Sequence, residues 1–584
     1  MATNTIPRNR NVGLLVLCIL ALIVGLITGL GAFVLRALMA LIHNVMFLGH
    51  FSFIYDANEA TPPSPWGPFI ILAPVLGGLG VVFLVRHFAP EARGHGVPEV
   101  MDAIYYKEGR IRPVVVIIKS IASALAIGSG ASVGREGPII QIGSGIGSSL
   151  GQILRLRRWE TITLVAAGAG AGIAATFNTP LGGVMFAIEL MLPELSARTL
   201  LPVVLATGTA TYVGRIFFGI APAFLVPTRG LPELLFPAAI SFLPIYAFFG
   251  ILCGIASAIF VHTLHAMEDA FDAMPGNAYT RHIIGMLLLG TMFYVLYLTL
   301  GHYYVEGVGY STIQAILTNQ INITWLLGLL FVAKLLATTL SLGSGSSGGI
   351  FSPSLFLGAT LGGVFGSLAA HVWPNLSISS VPFAIIGMAA IVGGSTGAAM
   401  TAILMIFEMT HDYSVTVPVI ISVAAAIGIR RLLARENIYT AKLARRGHHI
   451  PKERHSHMFL IRHAKDVMRP ISGSVPLEDV TCHGPKPAVP VPAESYQLVT
   501  KGERVVGVVP VLPDAPVTEA KPAITNFTVV RSDAFLQSVI QRMNRKNQPV
   551  ALVLTNHKRP GRDNVLGVIT RQEIAATVMR DIEP

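Results

Sequence analysis

The chain has 584 residues, of which 52% are hydrophobic and 12% are charged, and its formal net charge is +11. Soluble domains carry about 25% charged residues, so this composition excludes a mainly soluble protein and predicts a polytopic membrane protein. Cys18, Cys253 and Cys482 are scattered along the chain. Their positions predict neither a disulfide framework nor a metal site, and we expect no nucleic-acid partner.

Apolar segments long enough to lie in a membrane follow one another along most of the chain. They cover residues 12–49, 67–88, 113–130, 161–219, 236–263, 283–301, 325–341, 350–373 and 382–430. Several of them are too long or too rich in glycine for one regular span each. We therefore expect helices of unequal length, some of which end inside the membrane, after a short cytoplasmic tail at residues 1–11.

Three motifs recur in the same order and at nearly constant separation, which indicates an internal duplication. The pairs are Gly94–Val97 with Gly307–Tyr310, Gly128–Pro138 with Gly343–Pro353, and Val184–Glu189 with Ile403–Glu408. The duplication predicts two membrane halves, at about residues 12–220 and 236–440. Duplicated halves with broken helices commonly place an ion or solute site at their interface, so transport is the leading function class.

Glycine-rich segments that end in proline predict helix starts within the apolar body. The three candidates are Gly94–Pro98, Gly134–Pro138 and Gly349–Pro353. The first N–H groups of a helix lack partners within the helix and carry partial positive charge. Several such starts aimed at one point would therefore bind an anion without a full cation. The natural ligand is a dehydrated monovalent anion.

These motifs resemble the fingerprints of the CLC family of chloride channels and transporters. Gly134–Pro138 matches the GREGP motif in full, and Gly349–Pro353 departs from the second motif only at Ser352, where alanine is common. The resemblance covers residues 12–440 and implies an all-α polytopic membrane protein with an inverted internal repeat. It also implies a homodimer that is not an enzyme, with one pathway for chloride or a similar small anion in each subunit.

The resemblance also assigns residues to the anion pathway. In the family, backbone amides that match Ile350 and Phe351 coordinate the central chloride, a hydroxyl that matches Tyr439 completes the site, and the glutamate that matches Glu136 is the gate. The candidate anion-binding residues are His95, Gly96, Gly134, Arg135, Gly137, Gly349, Ile350, Phe351 and Tyr439. For Tyr439 the alternative is an aromatic side chain anchored at the membrane interface.

Glu136 is an ionisable residue at membrane depth, where a charge is costly, so we predict that it is functional. Its carboxylate could itself occupy the neighbouring anion site, and protonation would remove the competing charge and open the pathway. Gate and proton acceptor would then be one group. The alternative is a structural ion pair with Arg135, although adjacent residues of a helix point in different directions.

Two residues depart from the family pattern. His95 stands where a serine hydroxyl usually touches the anion, which predicts pH dependence or an altered anion preference unless the ring is turned aside. Leu190 stands where proton-coupled members commonly carry a second glutamate. It favours passive, voltage- or pH-gated conduction, with chloride/proton antiport as the alternative. Glu189, which the repeat pairs with Glu408, is predicted to be a structural anchor rather than a proton relay.

One motif raises a different function class. Gly345–Gly349 satisfies the G-x-S-x-G pattern of a serine hydrolase, which needs a strand-turn-helix context and later acidic and histidine partners. Here the flanks are apolar, and the repeat partner of the motif adjoins Glu136. A membrane serine hydrolase is therefore only a remote alternative.

A basic segment follows the apolar body. Residues 430–469 carry eleven Lys or Arg against three acidic residues. The positive-inside rule assigns this segment, and with it both termini, to the cytoplasmic side of the plasma (inner) membrane. Contact with membrane lipid of negative charge is the alternative reading. The linker itself is predicted at 441–464.

Residues 465–584 are predicted to form a small cytoplasmic α/β domain. The predicted helix, strand, strand and helix are Ala534–Met543, Val550–Leu554, Val565–Thr570 and Arg571–Met579. This order resembles a CBS domain, clearly over 524–582 and in degenerate form over 465–512, where prolines exclude the expected helix. We expect a structural or dimerising role. Binding of an adenine nucleotide is the alternative, and no other cofactor is expected.

Overall fold

The computed structural model describes residues 12–226, 236–374, 379–410, 415–451, 462–479, 495–511, 524–555 and 560–582. The chain divides into two compact units, Met1–Arg454 and His455–Pro584. The boundary between the units falls inside the segment predicted as a linker, 441–464. The predicted tail at 1–11 and the prolines from Pro485 to Pro492 lie outside the described residues.

The first unit is helical. Its first half contains α1 (Leu14–His43), α2 (Ala73–His87), α3 (Val97–Tyr106), α4 (Val114–Gly128), α5 (Glu136–Ile153), α6 (Arg158–Phe177), α7 (Pro180–Phe186) and α8 (Ala197–Phe218). Its second half contains α9 (Phe236–Ala273), α10 (Ala278–Leu300), α11 (Tyr310–Leu317), α12 (Thr324–Ser344), α13 (Phe351–Val372), α14 (Ser380–Thr396), α15 (Ala399–Thr410) and α16 (Thr416–Leu433), and α17 (Thr440–Arg445) follows. Among the described residues, 9 helical segments are long and apolar enough to span a membrane. The predicted all-α polytopic fold is confirmed.

The helices differ greatly in length, as predicted. The longest candidate span, Leu14–Leu48, has 35 residues, whereas α3 has 10 and α11 has 8. A helix needs about 20 residues to cross the hydrocarbon core. Both short helices therefore cover only part of the membrane thickness, and their first turns begin inside the protein.

Glycine pairs let two helices of each half cross in backbone contact. At Gly143 on α5 and Gly168 on α6, a methyl group on either residue would overlap the carbonyl oxygen of the other. Gly358 on α13 and Gly387 on α14 meet in the same way. Small residues at such crossings let helices pack closely in lipid, where the hydrophobic effect does not drive their association.

The second unit is a small α/β domain. It contains α18 (Ala464–Val467), β1 (Arg469–Pro476), β2 (Ser495–Lys501), β3 (Arg504–Val511), β4 (Phe527–Arg531), α19 (Leu536–Arg545), β5 (Val550–Leu554), β6 (Val565–Thr570) and α20 (Arg571–Ile582). The strands form one sheet in the order β3-β2-β1-β6-β5-β4. β1 pairs with β2 and β4 pairs with β5 in parallel, and the other neighbours are antiparallel.

The clearer half of this unit has the predicted order of helix, strand, strand and helix, formed by α19, β5, β6 and α20. The sequence analysis does not predict β4, which precedes them. In the degenerate half the described residues form three strands, and their longest α-helix is the four-residue α18. The two halves share one sheet because Arg469 of β1 pairs with Val568 of β6.

Candidate anion site and gate

The three predicted helix starts, those of α3, α5 and α13, meet at one place. The N–H of Gly134 donates to the carbonyl of Gly349 at 2.7 Å, and the N–H of Gly349 donates back at 2.5 Å. A second bridge pairs Gly94 with Ser347 in parallel. These bridges tie the segment before α13 to the segments before α5 and α3, so the two halves of the repeat join at the helix starts.

Gly137 shows how tightly these segments pack. A methyl group there would overlap the carbonyl oxygen of His95 and would lie 2.9 Å from the Cα of Gly349. Only glycine lets the first turn of α5 approach the other two segments so closely. The second glycine of the GREGP motif, Gly137, is therefore required by the close packing of the three helix starts.

Two amides at the start of α13 are free. Within the described residues, the N–H groups of Ile350 and Phe351 have no hydrogen-bond partner. Both residues are buried, so water does not solvate them as it would at a surface. Unpaired donors at a buried helix start are costly unless a ligand satisfies them. The arrangement suits a small dehydrated anion.

The Glu136 side chain is fully buried and reaches across to the second half of the repeat. Its Oε2 accepts a hydrogen bond from the backbone N–H of Ser352 at 3.3 Å. Its Oε1 accepts from the Tyr310 hydroxyl at 2.7 Å and from the Ser352 hydroxyl. The carboxylate thus lies in the position of an anion at the α13 helix start.

Arg135 does not pair with its neighbour. In the described part of the chain, no ion pair joins it to Glu136. Its guanidinium lies 5.0 Å from the centre of the Tyr310 ring, and its Nη2 donates to the carbonyl of Thr176 at 3.5 Å. This geometry goes against the alternative in which Glu136 is held by a structural ion pair.

His95 lies just before the start of α3, and Tyr439 lies beside it. Each is 1% exposed, and their ring centroids are 5.9 Å apart. Neither ring nitrogen of His95 has a hydrogen-bond partner among the described residues. Tyr439 is enclosed by protein, which goes against the alternative of an aromatic anchor at the membrane interface. The backbone holds it in place, because the Ile438 N–H donates to the Ser395 carbonyl at 3.0 Å.

Two buried lysines belong to this site, although the sequence analysis does not select them. Lys119 Nζ donates to the carbonyls of Ala92 at 2.9 Å and Gly94 at 2.7 Å. Lys334 Nζ donates to the carbonyls of Val305 at 3.2 Å and Gly307 at 3.0 Å. Each lysine holds the loop that precedes a short helix, α3 or α11.

The signal for these lysines was present in the sequence. Lys119 and Lys334 have the same separation as Gly128 and Gly343, and each stands in a segment that is otherwise apolar. A repeat search restricted to charged residues in apolar segments would have found them. The sequence contains no comparable signal for Tyr310 and Ser352, because only the fold brings their hydroxyls to Glu136.

Glu189 and Glu408 cap helices of the opposite half. The Glu189 carboxylate accepts hydrogen bonds from the N–H groups of Met400 at 2.9 Å and Thr401 at 2.8 Å, at the start of α15. The Glu408 carboxylate accepts from the N–H groups of Leu181 at 3.0 Å and Gly182 at 2.8 Å, at the start of α7. Both glutamates therefore have the geometry of a structural anchor.

Two further positions singled out by the sequence, Leu190 and Ser347, lie in helical and loop contexts without catalytic partners among the described residues. Leu190 is buried in the π-helical turn Ala187–Met191 that follows α7. Ser347, the serine of the hydrolase pattern, follows a helix rather than a strand, and its hydroxyl donates to the Ala92 carbonyl at 2.8 Å. It also lies 3.0 Å from the Ser123 hydroxyl. This is not the context of a nucleophile elbow.

The helical part of the chain is similar to proteins of known family. The profile of the family described as voltage gated chloride channel matches residues 77–431. A H+/Cl− exchange transporter, ClcA, of Vibrio parahaemolyticus is 34% identical over 387 residues, covering 65% of this chain and 80% of its own. The transporter of that name from Yersinia pseudotuberculosis is 34% identical over 447 residues, covering 75% and 89%.

Solved structures show the same architecture. A slow cyanobacterial Cl−/H+ antiporter superposes with a TM-score of 0.64 at 27% identity, covering 74% of this chain and 97% of its own. A eukaryotic CLC transporter superposes with a TM-score of 0.59 at 20% identity, covering 96% and 98%. The second likeness shows the fold alone.

Proposed function

Since the chain belongs to the CLC family of chloride channels and transporters, we propose that it exchanges chloride for protons across the membrane, with Glu136 as gate and proton carrier. The observation that carries the proposal is the position of the Glu136 carboxylate, which accepts a hydrogen bond from the backbone at the start of α13. Members of the family are transporters or channels, so the hydrolase alternative is dropped.

The proposed mechanism follows from competition between two anions. The deprotonated Glu136 carboxylate takes the donors at the start of α13 and excludes chloride from them. Protonation removes its charge, and hydrogen bonds to a neutral acceptor are roughly half as strong as those to an ionised one. The neutral side chain then leaves, and chloride takes its place. Because one site serves either the carboxylate or chloride, the two movements are coupled.

In addition to the position that it shares with the Glu136 carboxylate, chloride is proposed to bind next to the gate, at the free amides of Ile350 and Phe351. Tyr439 and His95 are proposed to complete this site, since both can donate a hydrogen bond to an anion. His95 has no other partner in the described chain, which favours a ring that faces the anion over a ring turned aside. Gly96, Gly134, Gly137 and Gly349 would act by allowing the backbone to approach.

Leu190 is the feature that favours the second candidate, passive gated conduction, because leucine cannot accept a proton. The relatives named above are H+/Cl− exchange transporters, and this favours exchange. Protonation of Glu189 would weaken its cap on α15, so we propose that protons reach Glu136 from the cytoplasmic side through water rather than through residue 189 or 190.

Purified protein in liposomes tests the proposal directly. A chloride gradient is imposed, and chloride and proton fluxes are measured together. We expect uphill proton movement in the unmodified protein. In Glu136→Gln, which mimics the protonated gate, chloride flux should persist while its pH dependence and all proton movement are lost.

Two outcomes would contradict the proposal in different ways. Chloride flux without proton movement in the unmodified protein would establish passive conduction. A folded Glu136→Gln variant that still pumps protons would remove Glu136 from the gate. An uncoupler that abolishes the proton signal is the control for artefacts of leak.

We also propose a homodimer with one pathway in each subunit, in the plasma (inner) membrane, with both termini in the cytoplasm. The basic segment 430–469 supports this orientation. For the second unit we propose a structural or dimerising role. Truncation after residue 454 tests this role. Size-exclusion chromatography shows whether the dimer is lost, and flux measurement shows whether transport itself depends on the second unit.

A further inference from the structure

Glu136 is held by two side-chain hydroxyls in addition to the helix backbone. The Tyr310 hydroxyl donates to Oε1 at 2.7 Å, and the Ser352 hydroxyl also donates to Oε1. The two hydroxyl oxygens are themselves 2.9 Å apart. All three side chains are buried, with exposures of 0%, 2% and 0% for Glu136, Tyr310 and Ser352. The three groups form a closed triangle.

We propose that Tyr310 and Ser352 are positioning residues that form a hydroxyl latch, which stabilises the deprotonated gate in the anion position and delays its release. The proposal rests on the proposed role of Glu136 as the gate. It adds that this chain sets the pH range and the rate of opening through two hydroxyls from the second half of the repeat.

Counting protons shows which state the latch prefers. Two hydroxyl protons are available, and a carboxylate accepts both of them. When Glu136 is protonated, a third proton enters the triangle, and every acceptor in it is neutral. Hydrogen bonds to an ionised acceptor are roughly twice as strong as those between neutral groups. The latch therefore stabilises the closed, charged gate more than the protonated one.

Burial strengthens this preference. A hydroxyl that loses its acceptor in the protein interior pays the cost of an unpaired buried group, which it does not pay in water. After the carboxylate departs, one of the two hydroxyls can donate to the other, 2.9 Å away, and the second hydroxyl has no acceptor until chloride replaces the carboxylate. Chloride is a weaker acceptor than a carboxylate, so exchange of one for the other is slowed while the gate is charged.

The other charged and titratable groups around Glu136 come from several elements. Arg135 lies over the Tyr310 ring at 5.0 Å. Lys334 on α12 holds the loop before α11, and the Tyr439 ring lies beside that of His95. All three remain in place when a single hydroxyl is removed. A change in the pH profile then reports on the latch itself.

The test is chloride flux from liposomes over an acidic-to-neutral pH series for Tyr310→Phe and Ser352→Ala. Removal of a donor to the carboxylate makes protonation easier, so activation should begin at higher pH. We expect the midpoint to move up by about one pH unit for each variant and flux at neutral pH to rise by roughly tenfold. The double variant should shift by less than the sum, since the two hydroxyls contact each other.

Two matched controls remove a hydroxyl without touching the gate. Ser354→Ala lies on the same helix as Ser352, and its hydroxyl donates to the Ile350 carbonyl at 2.8 Å. Tyr303→Phe loses a hydroxyl that accepts from the Ser64 N–H at 3.1 Å. Both should keep the midpoint of the unmodified protein. A variant that is merely destabilised would lose flux at every pH without moving the midpoint.

The outcomes separate this proposal from the one on which it rests. If Tyr310→Phe and Ser352→Ala keep the original midpoint while Glu136→Gln abolishes pH dependence, the latch is wrong and the gate stands. If Glu136→Gln keeps its pH dependence, the gate is wrong. A shift of the midpoint to lower pH would also overturn the latch, because it would mean that the hydroxyls favour the protonated gate.

Discussion

The two halves of the repeat share a scaffold but not their chemistry. Each half has a buried lysine that holds the loop before a short helix, a glycine crossing between two helices, and a glutamate that caps a helix of the other half. At the pathway the halves differ. The first half contributes Glu136 and His95, whose repeat partners are Phe351 and Val308.

A symmetric frame can thus hold a site with one proposed gate. The second half supplies the neutral donors, namely the Ser352 N–H and the hydroxyls of Ser352 and Tyr310. The first half supplies the carboxylate. Neither half contains both the acceptor and its donors, so the proposed gate exists only where the halves meet.

Replacing the two lysines tests whether the scaffold is symmetric and should give the largest effect. Lys119→Met and Lys334→Met each remove two hydrogen bonds from a buried charged donor, which should lower stability by about 3 kcal/mol or more. Thermal unfolding in detergent, followed by size-exclusion chromatography, measures the loss. Lys465→Met, at an exposed position in the second unit, should be neutral.

Equal losses in the two lysine variants would support one structural role repeated in each half. A large loss of stability in Lys119→Met together with no loss in Lys334→Met would contradict the equivalence of the two lysines. It would show that the lysine of the first half contributes more to stability than its counterpart in the second half.

The capping glutamates give a second, smaller contrast. Glu189→Gln and Glu408→Gln each remove a charged cap from a helix start, which should cost about 1 kcal/mol. We expect similar losses of thermal stability and unchanged proton coupling in both. Loss of proton pumping in Glu189→Gln alone, with chloride flux retained, would identify Glu189 as a proton relay and contradict the water route.

His95 should give the smallest effect, because it contributes one hydrogen bond among several. His95→Ser should change the chloride-to-nitrate flux ratio, because a hydroxyl replaces the imidazole as the donor to the anion. One neutral hydrogen bond corresponds to roughly two- to tenfold in that ratio. Val308→Ser changes the repeat partner and is the control. Identical ratios in His95→Ser and the unmodified protein would support a ring turned aside.

The sequence alone predicts the helix starts that form the site. Glycine and proline in an apolar segment have few explanations other than a broken helix, and the starts of α3, α5 and α13 fall at the predicted motifs. The duplication likewise predicts Glu189 and Glu408 as a pair. What it does not predict is that each glutamate caps the other half, since that requires the inverted packing.

The hydroxyl partners of Glu136 could not be predicted for a related reason. Tyr310 and Ser352 are far from Glu136 in the chain, and a serine in a helix can instead bond the backbone of its own helix. In the second unit, β1 and β3 were not predicted because Pro470, Pro476 and Pro510 interrupt the alternation expected of a strand.

The reciprocal caps of Glu189 and Glu408 have a consequence for how such a protein can arise. One half alone would leave its glutamate without these donors and a helix start without its cap. A second copy inserted in the opposite orientation across the membrane would supply both the donors and the cap. The contacts that now join the halves are therefore those of a dual-topology pair, and joining the two copies in one chain fixes their opposite orientations and leaves each copy free to diverge at the pathway.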